Sequence, residues 1–168
     1  MKNINLFFKL AVVSSLILIP SIYAETLKEA KKEYAKIEQS ELNQTKKEVA
    51  AISKQISDFA KGKGTGKIET LSNYYQIEKK GPNNFVLKDI SGIRTGSVKQ
   101  LTSAIQKSYQ INAKFGSSAL VERDPTTSKK MRALASNVQN TAIKDINELN
   151  TNKKKYGTFE IVPPSEGA

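Results

Sequence analysis

The residue types that most often carry chemistry are scarce in this chain. Its 168 residues include no cysteine, no histidine and no tryptophan. That composition excludes zinc sites of the usual kind, serine–histidine and cysteine–histidine nucleophiles, and thiol redox chemistry. The 16 acidic residues form no pair at a diagnostic spacing. We therefore predict a protein that is not an enzyme and has no cofactor or metal, with a small secreted hydrolase as the remaining enzymatic alternative.

One stretch, residues 61–67, invites comparison with a phosphate-binding loop, because glycine-rich backbone with lysines can hold an anion. The match fails on three points. Ile68 stands where Ser or Thr would hold magnesium, the first glycine is one residue too close, and a helical pattern precedes the loop in place of a strand. Three glycines between Gly62 and Gly66 instead predict a flexible hinge over 61–67, joining a partly independent first helix to the remaining domain.

Lysine is the abundant charged residue, and the formal net charge is +11. Two hypotheses fit this excess: a solvated basic surface, or a face that binds a polyanion such as nucleic acid, anionic lipid or polysaccharide. The polyanion candidates are the lysines of the first helix and a cluster near the C-terminus, Lys153, Lys154, Lys155 and Tyr156. Acidic residues interleaved with the lysines of the first helix argue against the second hypothesis, namely Glu33, Glu38, Glu41 and Glu48.

The first 24 residues have the layout of a secretory signal peptide. Lys2 is followed by an apolar run from Leu10 to Ile19, and cleavage is expected between Ala24 and Glu25. An uncleaved anchor is the alternative, and no later segment has the composition to cross a membrane. The prediction is a periplasmic or secreted protein. Without cysteine it has neither disulfides nor an N-terminal lipid, so it must fold on its core alone.

After the signal, residues 25–60 predict one long amphipathic helix. Apolar residues recur at intervals of three and four, and neither Gly nor Pro interrupts them. Two heptad runs are out of register by one residue, which disfavours a continuous coiled coil. The apolar stripe either packs on its own chain in a bundle or forms an oligomer seam or partner-docking surface. In the second case the contact residues are Leu27, Tyr34, Ile37 and Leu42.

The remaining stretch, residues 68–162, predicts a small α+β domain. A hairpin is expected over 73–80 and 85–90, with a short helix from Lys67 into Tyr75 as the alternative for its start. Residues 91–96 read as a turn. Ser97 caps a second helix that ends near 114–116, and Asp124 with Pro125 opens a third that stops at 150–152. Residues 158–162 can join the hairpin as a third strand, and 163–168 are expected to be disordered.

The predicted fold is therefore α+β and mainly α: a long N-terminal amphipathic helix, two further helices and a small antiparallel sheet of hairpin plus C-terminal strand. The leading functional hypothesis is an exported, non-enzymatic protein-interaction or assembly component of the bacterial cell envelope. Its partner would be another envelope or secreted protein, or a second copy of the chain. The alternative is a basic protein that binds a polyanion.

Overall fold

The computed structural model describes residues 26–70 and 74–160. The predicted signal segment with its Ala24–Glu25 cleavage site and the predicted tail 163–168 lie outside the described residues, as do Ile161 and Val162 of the last predicted strand. In chain order the elements are α1 (Leu27–Ala60), β1 (Lys67–Glu69), β2 (Tyr74–Gly81), β3 (Asn84–Asp89), β4 (Gly92–Gly96), α2 (Val98–Arg123), α3 (Lys129–Thr151), α4 (Lys153–Tyr156) and β5 (Thr158–Glu160). The α+β class, the long first helix and the antiparallel sheet are confirmed.

α1 begins at a capping box and runs for 34 residues. The side chain of Thr26 accepts a hydrogen bond from the backbone N–H of Glu29, and the carboxylate of Glu29 accepts one from the backbone N–H of Thr26 at 2.8 Å. These two bonds satisfy backbone donors that the first helical turn leaves free. Within the described part of the chain, every helix is too polar or too short to be a membrane span.

The five strands form one antiparallel sheet in the order β1-β2-β3-β4-β5, so each strand pairs with its neighbour in sequence. Side chains alternate between its two faces. The inner face contributes Ile68, Tyr75, Ile77, Phe85 and Leu87, all buried against α1 and α2. Within the described residues, the outer strands β1 and β5 have three residues each, and short outer strands limit the edge available for unwanted strand pairing.

Three apolar clusters hold the helices to each other and to the sheet. The sheet core joins Ile52 and Ile56 of α1 and Leu101, Ile105 and Tyr109 of α2 to the inner face of the sheet. The distal core, at the opposite end of the bundle, consists of Ala30, Tyr34, Val121, Met131 and Ala135. The third cluster, between α2, α3 and α4, consists of Ala104, Ile111, Ala142, Leu149 and Tyr156. α2 contributes to all three.

The predicted boundary between the second and third helices was wrong. α2 continues past residue 116 to Arg123 because Ser117, Ser118 and Val121 are buried against the rest of the bundle. Asp124 is the C-cap of α2, and its carboxylate accepts hydrogen bonds from the backbone N–H and hydroxyl of Thr126. The N-cap of α3 is Ser128, whose hydroxyl accepts from the backbone N–H of Met131 at 3.2 Å.

The sheet has two strands that the sequence did not predict. Residues 92–96, expected to be a turn, form β4, which pairs with β3 from Phe85↔Gly96 to Asp89↔Gly92. β5 consequently pairs with β4 and not with the predicted hairpin. Residues 67–69, expected to belong to a hinge or a short helix, form β1 against β2. The predicted hairpin itself, β2 and β3, is confirmed.

The glycine- and lysine-rich loop is hydrogen-bonded at both ends. The backbone N–H of Lys63 donates to the carbonyl of Asp58, and that of Ile77 donates to the carbonyl of Gly66, both at 2.8 Å. A Cβ at Gly66 would lie 2.9 Å from the carbonyl oxygen of Ile77, so the loop approaches β2 closely. Since α1 also supplies Ile52 to the sheet core, it packs as part of the domain. The mobility of the loop itself stays a prediction.

Replacing Gly157 tests how β5 is placed. Gly157 has φ +80°, and a Cβ there would lie 2.3 Å from the carbonyl oxygen of Thr95 on β4. We expect Gly157→Ala to lower the free energy of unfolding by about 3 kcal/mol or more, because backbone strain and steric overlap add. The control, Gly62→Ala, has nearly the same φ of +79° but open space around it, and should lose only about 1 kcal/mol. Urea unfolding followed by circular dichroism measures both, and equal losses would contradict the steric explanation.

Candidate functional site

The face of α1 that points away from the bundle carries exposed lysines in two groups, with a neutral stretch between Lys36 and Lys46. The apolar stripe fixes the rotation of the helix about its axis, so residues opposite the stripe must face solvent. We call these residues the lysine strip: Lys28, Lys32, Lys36, Lys46, Lys47, Lys54 and, at the C-cap, Lys61, all exposed. At about 1.5 Å per residue the strip is about 50 Å long. Only small or neutral polar residues fill its centre, among them Gln39, Ser40 and Asn43.

The acidic residues interleaved with these lysines along the sequence occupy different positions around the helix. Glu33, Glu38, Glu41 and Glu48 are all partly buried, whereas the lysines of the strip are exposed. Glu41 lies beside α2, since a Cβ at Gly116 would be 3.5 Å from its carboxylate oxygen, and burial raises the pKa of Glu41. The acids therefore lie toward the bundle, and the positive charges lie outward.

Little on the strip neutralises its charge. Within the described residues, the strip has one ion pair, between Lys54 and Asp58 at 3.9 Å. Glu29 is occupied by the capping box, where the hydrogen bond from the Thr26 backbone lowers its pKa. The strip is thus a line of positive charge with few counter-charges among the described residues, and it creates a positive field along this side of α1.

The C-terminal candidates are placed differently. Lys153 and Lys154 are exposed on α4, but the ammonium of Lys155 forms an ion pair with Glu148 at 3.0 Å. The hydroxyl of Tyr156 donates to the same carboxylate at 2.9 Å, and its ring is buried. α4 packs on α2 and α3, so this cluster is not an extension of the lysine strip. One of its three lysine charges is already offset within the chain.

The partner-docking candidates on the apolar stripe of α1 lie mostly inside the fold. Tyr34 is 5% exposed, and its hydroxyl shares a hydrogen bond with that of Ser117 at 3.2 Å. Ile37 packs against the distal core, and Leu42 is partly buried. Leu27, at 49% exposure, is the member of this set with the most surface left for a partner.

An ion-pair network missed by the sequence reading joins α2, α3 and α4. Lys107 contacts Asp145 at 2.9 Å and Glu148 at 3.1 Å, and Lys114 contacts Asp145 at 2.6 Å. Burial alone would raise the pKa of Asp145, but hydrogen bonds from Lys114 and Lys107 hold it below its usual value. Hydrogen bonds from Lys155, Lys107 and Tyr156 lower the pKa of Glu148 to about 2. These carboxylates are kept ionised by lysines, so they are poor proton donors or acceptors near neutral pH.

A second polar cluster lies at the inner face of the sheet. The guanidinium of Arg94 pairs with Asp89, and it lies over the ring of Phe159, 5.8 Å from the centroid. Burial acts to raise the pKa of Asp89, but the charge of Arg94 and hydrogen bonds from Ser91 keep it lowered. Nearby, the hydroxyl of Tyr75 donates to that of Tyr109, and burial raises the pKa of Tyr75. The acid is neutralised by its partner, which indicates a role in holding β3, β4 and β5 together.

Two surface depressions among the described residues lie along α1 or at its end. One depression is lined by α1 residues alone, from Lys32 to Asn43, and is the open surface of the lysine strip. Another, of about 260 Å³, lies between the end of α1 and the 61–66 loop. The described residues also contain no group of three or more acidic side chains that could hold a metal ion.

Comparison with protein-family profiles, with curated proteins and with solved structures gave no match.

The ion-pair network predicts how stability depends on pH. Because the folded pKa of Glu148 is near 2, below its ordinary value of 4.5, its contribution is present above about pH 4.5 and is lost as pH falls toward 2. Burial lowers the pKa of Lys107, but Asp145 and Glu148 raise it above 10.5, so its contribution is lost at still higher pH. The Glu148→Gln variant should have a lower melting temperature than the parent protein at pH 7. Its melting temperature should also fall less steeply as pH is lowered from about 4.5 toward 2.

The control for this prediction is Glu69→Gln, which removes an exposed carboxylate in β1. The melting temperature of this control should depend on acid pH in the same way as that of the parent protein. If Glu148→Gln and Glu69→Gln gave the same profile, the network would not be the source of the acid sensitivity.

Proposed function

We propose that this chain is an exported, non-enzymatic binding protein that holds an anionic macromolecule or surface on the lysine strip of α1. The observation that carries the proposal is the separation of charge around α1: the lysines of the strip are exposed, and four of the helix's acids are partly buried toward the bundle, namely Glu33, Glu38, Glu41 and Glu48. Such a line of charge attracts polyanions, releases their counterions on binding and gives an affinity that falls with salt.

Export remains an inference from the signal-like residues 1–24. Those residues contain two lysines and no acid, so their removal changes the formal charge from +11 to +9. A basic mature protein in the cell envelope would meet anionic lipid and polysaccharide in abundance, and steering by a net positive field raises the rate of encounter.

Docking of a protein partner on the apolar stripe of α1, the leading hypothesis from sequence, has less support from the geometry. Most of that stripe is already used, since Tyr34, Ile52 and Ile56 are buried in the chain's own cores. The polyanion hypothesis uses a surface that the fold leaves free. A protein partner with an acidic surface fits the same strip and is a special case of the proposal.

The proposal predicts that the position of the charges matters more than their number. The strip variant combines Lys32→Gln, Lys36→Gln, Lys46→Gln and Lys47→Gln. The matched control combines Lys129→Gln, Lys144→Gln, Lys153→Gln and Lys154→Gln, four exposed lysines of α3 and α4. Each variant removes the same charge, and Gln has nearly the helix propensity of Lys. Affinity for a fluorescent sulfated polysaccharide, measured from about 50 to about 300 mM salt, compares them.

We expect the control to keep most of the parent affinity, while the strip variant loses about 10-fold or more at low salt and shows a shallower salt dependence. The reason is that counterions are released only where lysines meet the polyanion. If the control lost as much as the strip variant, non-specific net charge would explain binding. A larger loss in the control would move the site to α4, at Lys153 and Lys154.

A further inference from the structure

The shape of the lysine strip favours some classes of anionic ligand over others. Its charges lie along one side of a single uninterrupted helix of 34 residues. Because a long helix curves only gently, the flexible lysine side chains on one side of it can all reach a plane at the same time. We propose that the strip is a docking face for an anionic lipid surface, on which α1 lies lengthwise. This inference rests on the proposed function and specifies its ligand.

Duplex nucleic acid fits the strip less well. The major groove makes a full turn in about 34 Å, whereas the strip from Lys28 to Lys61 is about 50 Å long. A groove therefore turns away beneath a straight helix of this length, and only part of the strip reaches phosphates. A flat surface has no such limit, since it meets the first and last lysines equally.

Single-stranded nucleic acid is disfavoured by the side chains that the strip lacks. Along α1, the residues facing outward from Lys28 to Lys54 include no arginine and no aromatic residue. Single strands are usually held by stacking of bases on aromatic rings, and phosphates are often recognised by the two-pronged guanidinium. Lysines alone act as point charges without a preferred orientation, which suits the closely spaced headgroups of a lipid surface.

The same face predicts adsorption without insertion. Its apolar members are small and exposed, such as Ala35 and Ala50, and the large exposed apolar side chain of α1, Leu27, lies on the side of the apolar stripe. Interfacial helices that insert bury large apolar residues below the headgroups. Without them the contact depends on charge, so it should be reversible and should weaken as salt shortens the range of the attraction to less than about 10 Å.

Vesicle co-sedimentation of the mature chain, residues 25–168, tests the lipid assignment. The vesicles contain equal parts phosphatidylglycerol and phosphatidylcholine, with pure phosphatidylcholine as the uncharged comparison. Each lysine near an anionic surface contributes roughly five-fold to binding, so the strip variant should lose about 100-fold or more. The α3–α4 control variant should stay within about three-fold of the parent, because its lysines are not on the strip.

The orientation of α1 is tested with single cysteine labels, which are unique because the chain has no cysteine. The labelled variants are Ala35→Cys and Ala50→Cys, toward the two ends of the strip, and Asn140→Cys on α3 as the control; all three positions are exposed. A quencher attached to the lipid headgroup should quench both strip labels and spare the α3 label. Quenching of one strip label alone would contradict lengthwise docking.

The outcomes separate the lipid assignment from the proposed function. If the strip binds sulfated polysaccharide or a 30-base-pair duplex but not phosphatidylglycerol vesicles, the lipid assignment fails while the proposed function stands. If the strip variant binds both vesicles and polysaccharide as well as the control does, both fail. Unfolding curves of the two variants show whether either loss of binding comes from loss of the fold.

Discussion

The structure depends on α2, which buries side chains in each of the three apolar clusters. Leu101, Ile105 and Tyr109 pack into the sheet core, Ile111 into the cluster beneath α3 and α4, and Val121 into the distal core. Without cysteine the chain has no covalent cross-link, so apolar burial of about 25 cal/mol per Å² is its main stabilising term. α1 is longer, but its two buried ends meet different cores, and α2 connects them. The lysine strip is held in place because α2 fixes which side of α1 is inside.

Sequence predicted the elements whose signals are local. α1 follows from uninterrupted apolar spacing, α2 from the Ser97 cap, and the β2–β3 hairpin from alternation around a turn. The wrong boundary arose because an Asp before a proline has the same local chemistry in a helix cap and in a turn after a helix. What decides between them is the burial of Ser117, Ser118 and Val121 in the bundle, which is a tertiary effect. β4 was missed because it is short and bounded by glycines, and only its pairing with β3 and β5 makes it a strand.

The candidate site was half predicted. The sequence identified the lysines of α1 as polyanion candidates but gave its acids equal weight, because Glu33 follows Lys32 directly along the chain. In a helix, adjacent residues are about 100° apart around the axis, so sequence neighbours need not share a face. When positions around the helix axis are counted from the apolar stripe, the lysines and these acids fall on different sides of α1. The ion pair between Lys155 and Glu148 could not be predicted from sequence, because it depends on how α4 folds back on α3.

The lysine strip also lowers the stability of the helix that carries it. Lys28, Lys32 and Lys36 follow each other at i, i+4 spacing, and each such like-charge pair disfavours an isolated helix by about 0.2–0.5 kcal/mol. Acids among these lysines would offset the repulsions, but Glu33, Glu38, Glu41 and Glu48 are partly buried toward the bundle. Within the described residues the strip has one ion pair, between Lys54 and Asp58. The fold tolerates the repulsion because Tyr34 and Ile52 anchor α1 at both ends, in the distal core and the sheet core. An anionic surface that met the strip would remove the repulsion, so binding and the stability of α1 are linked: what binds the folded helix also stabilises it.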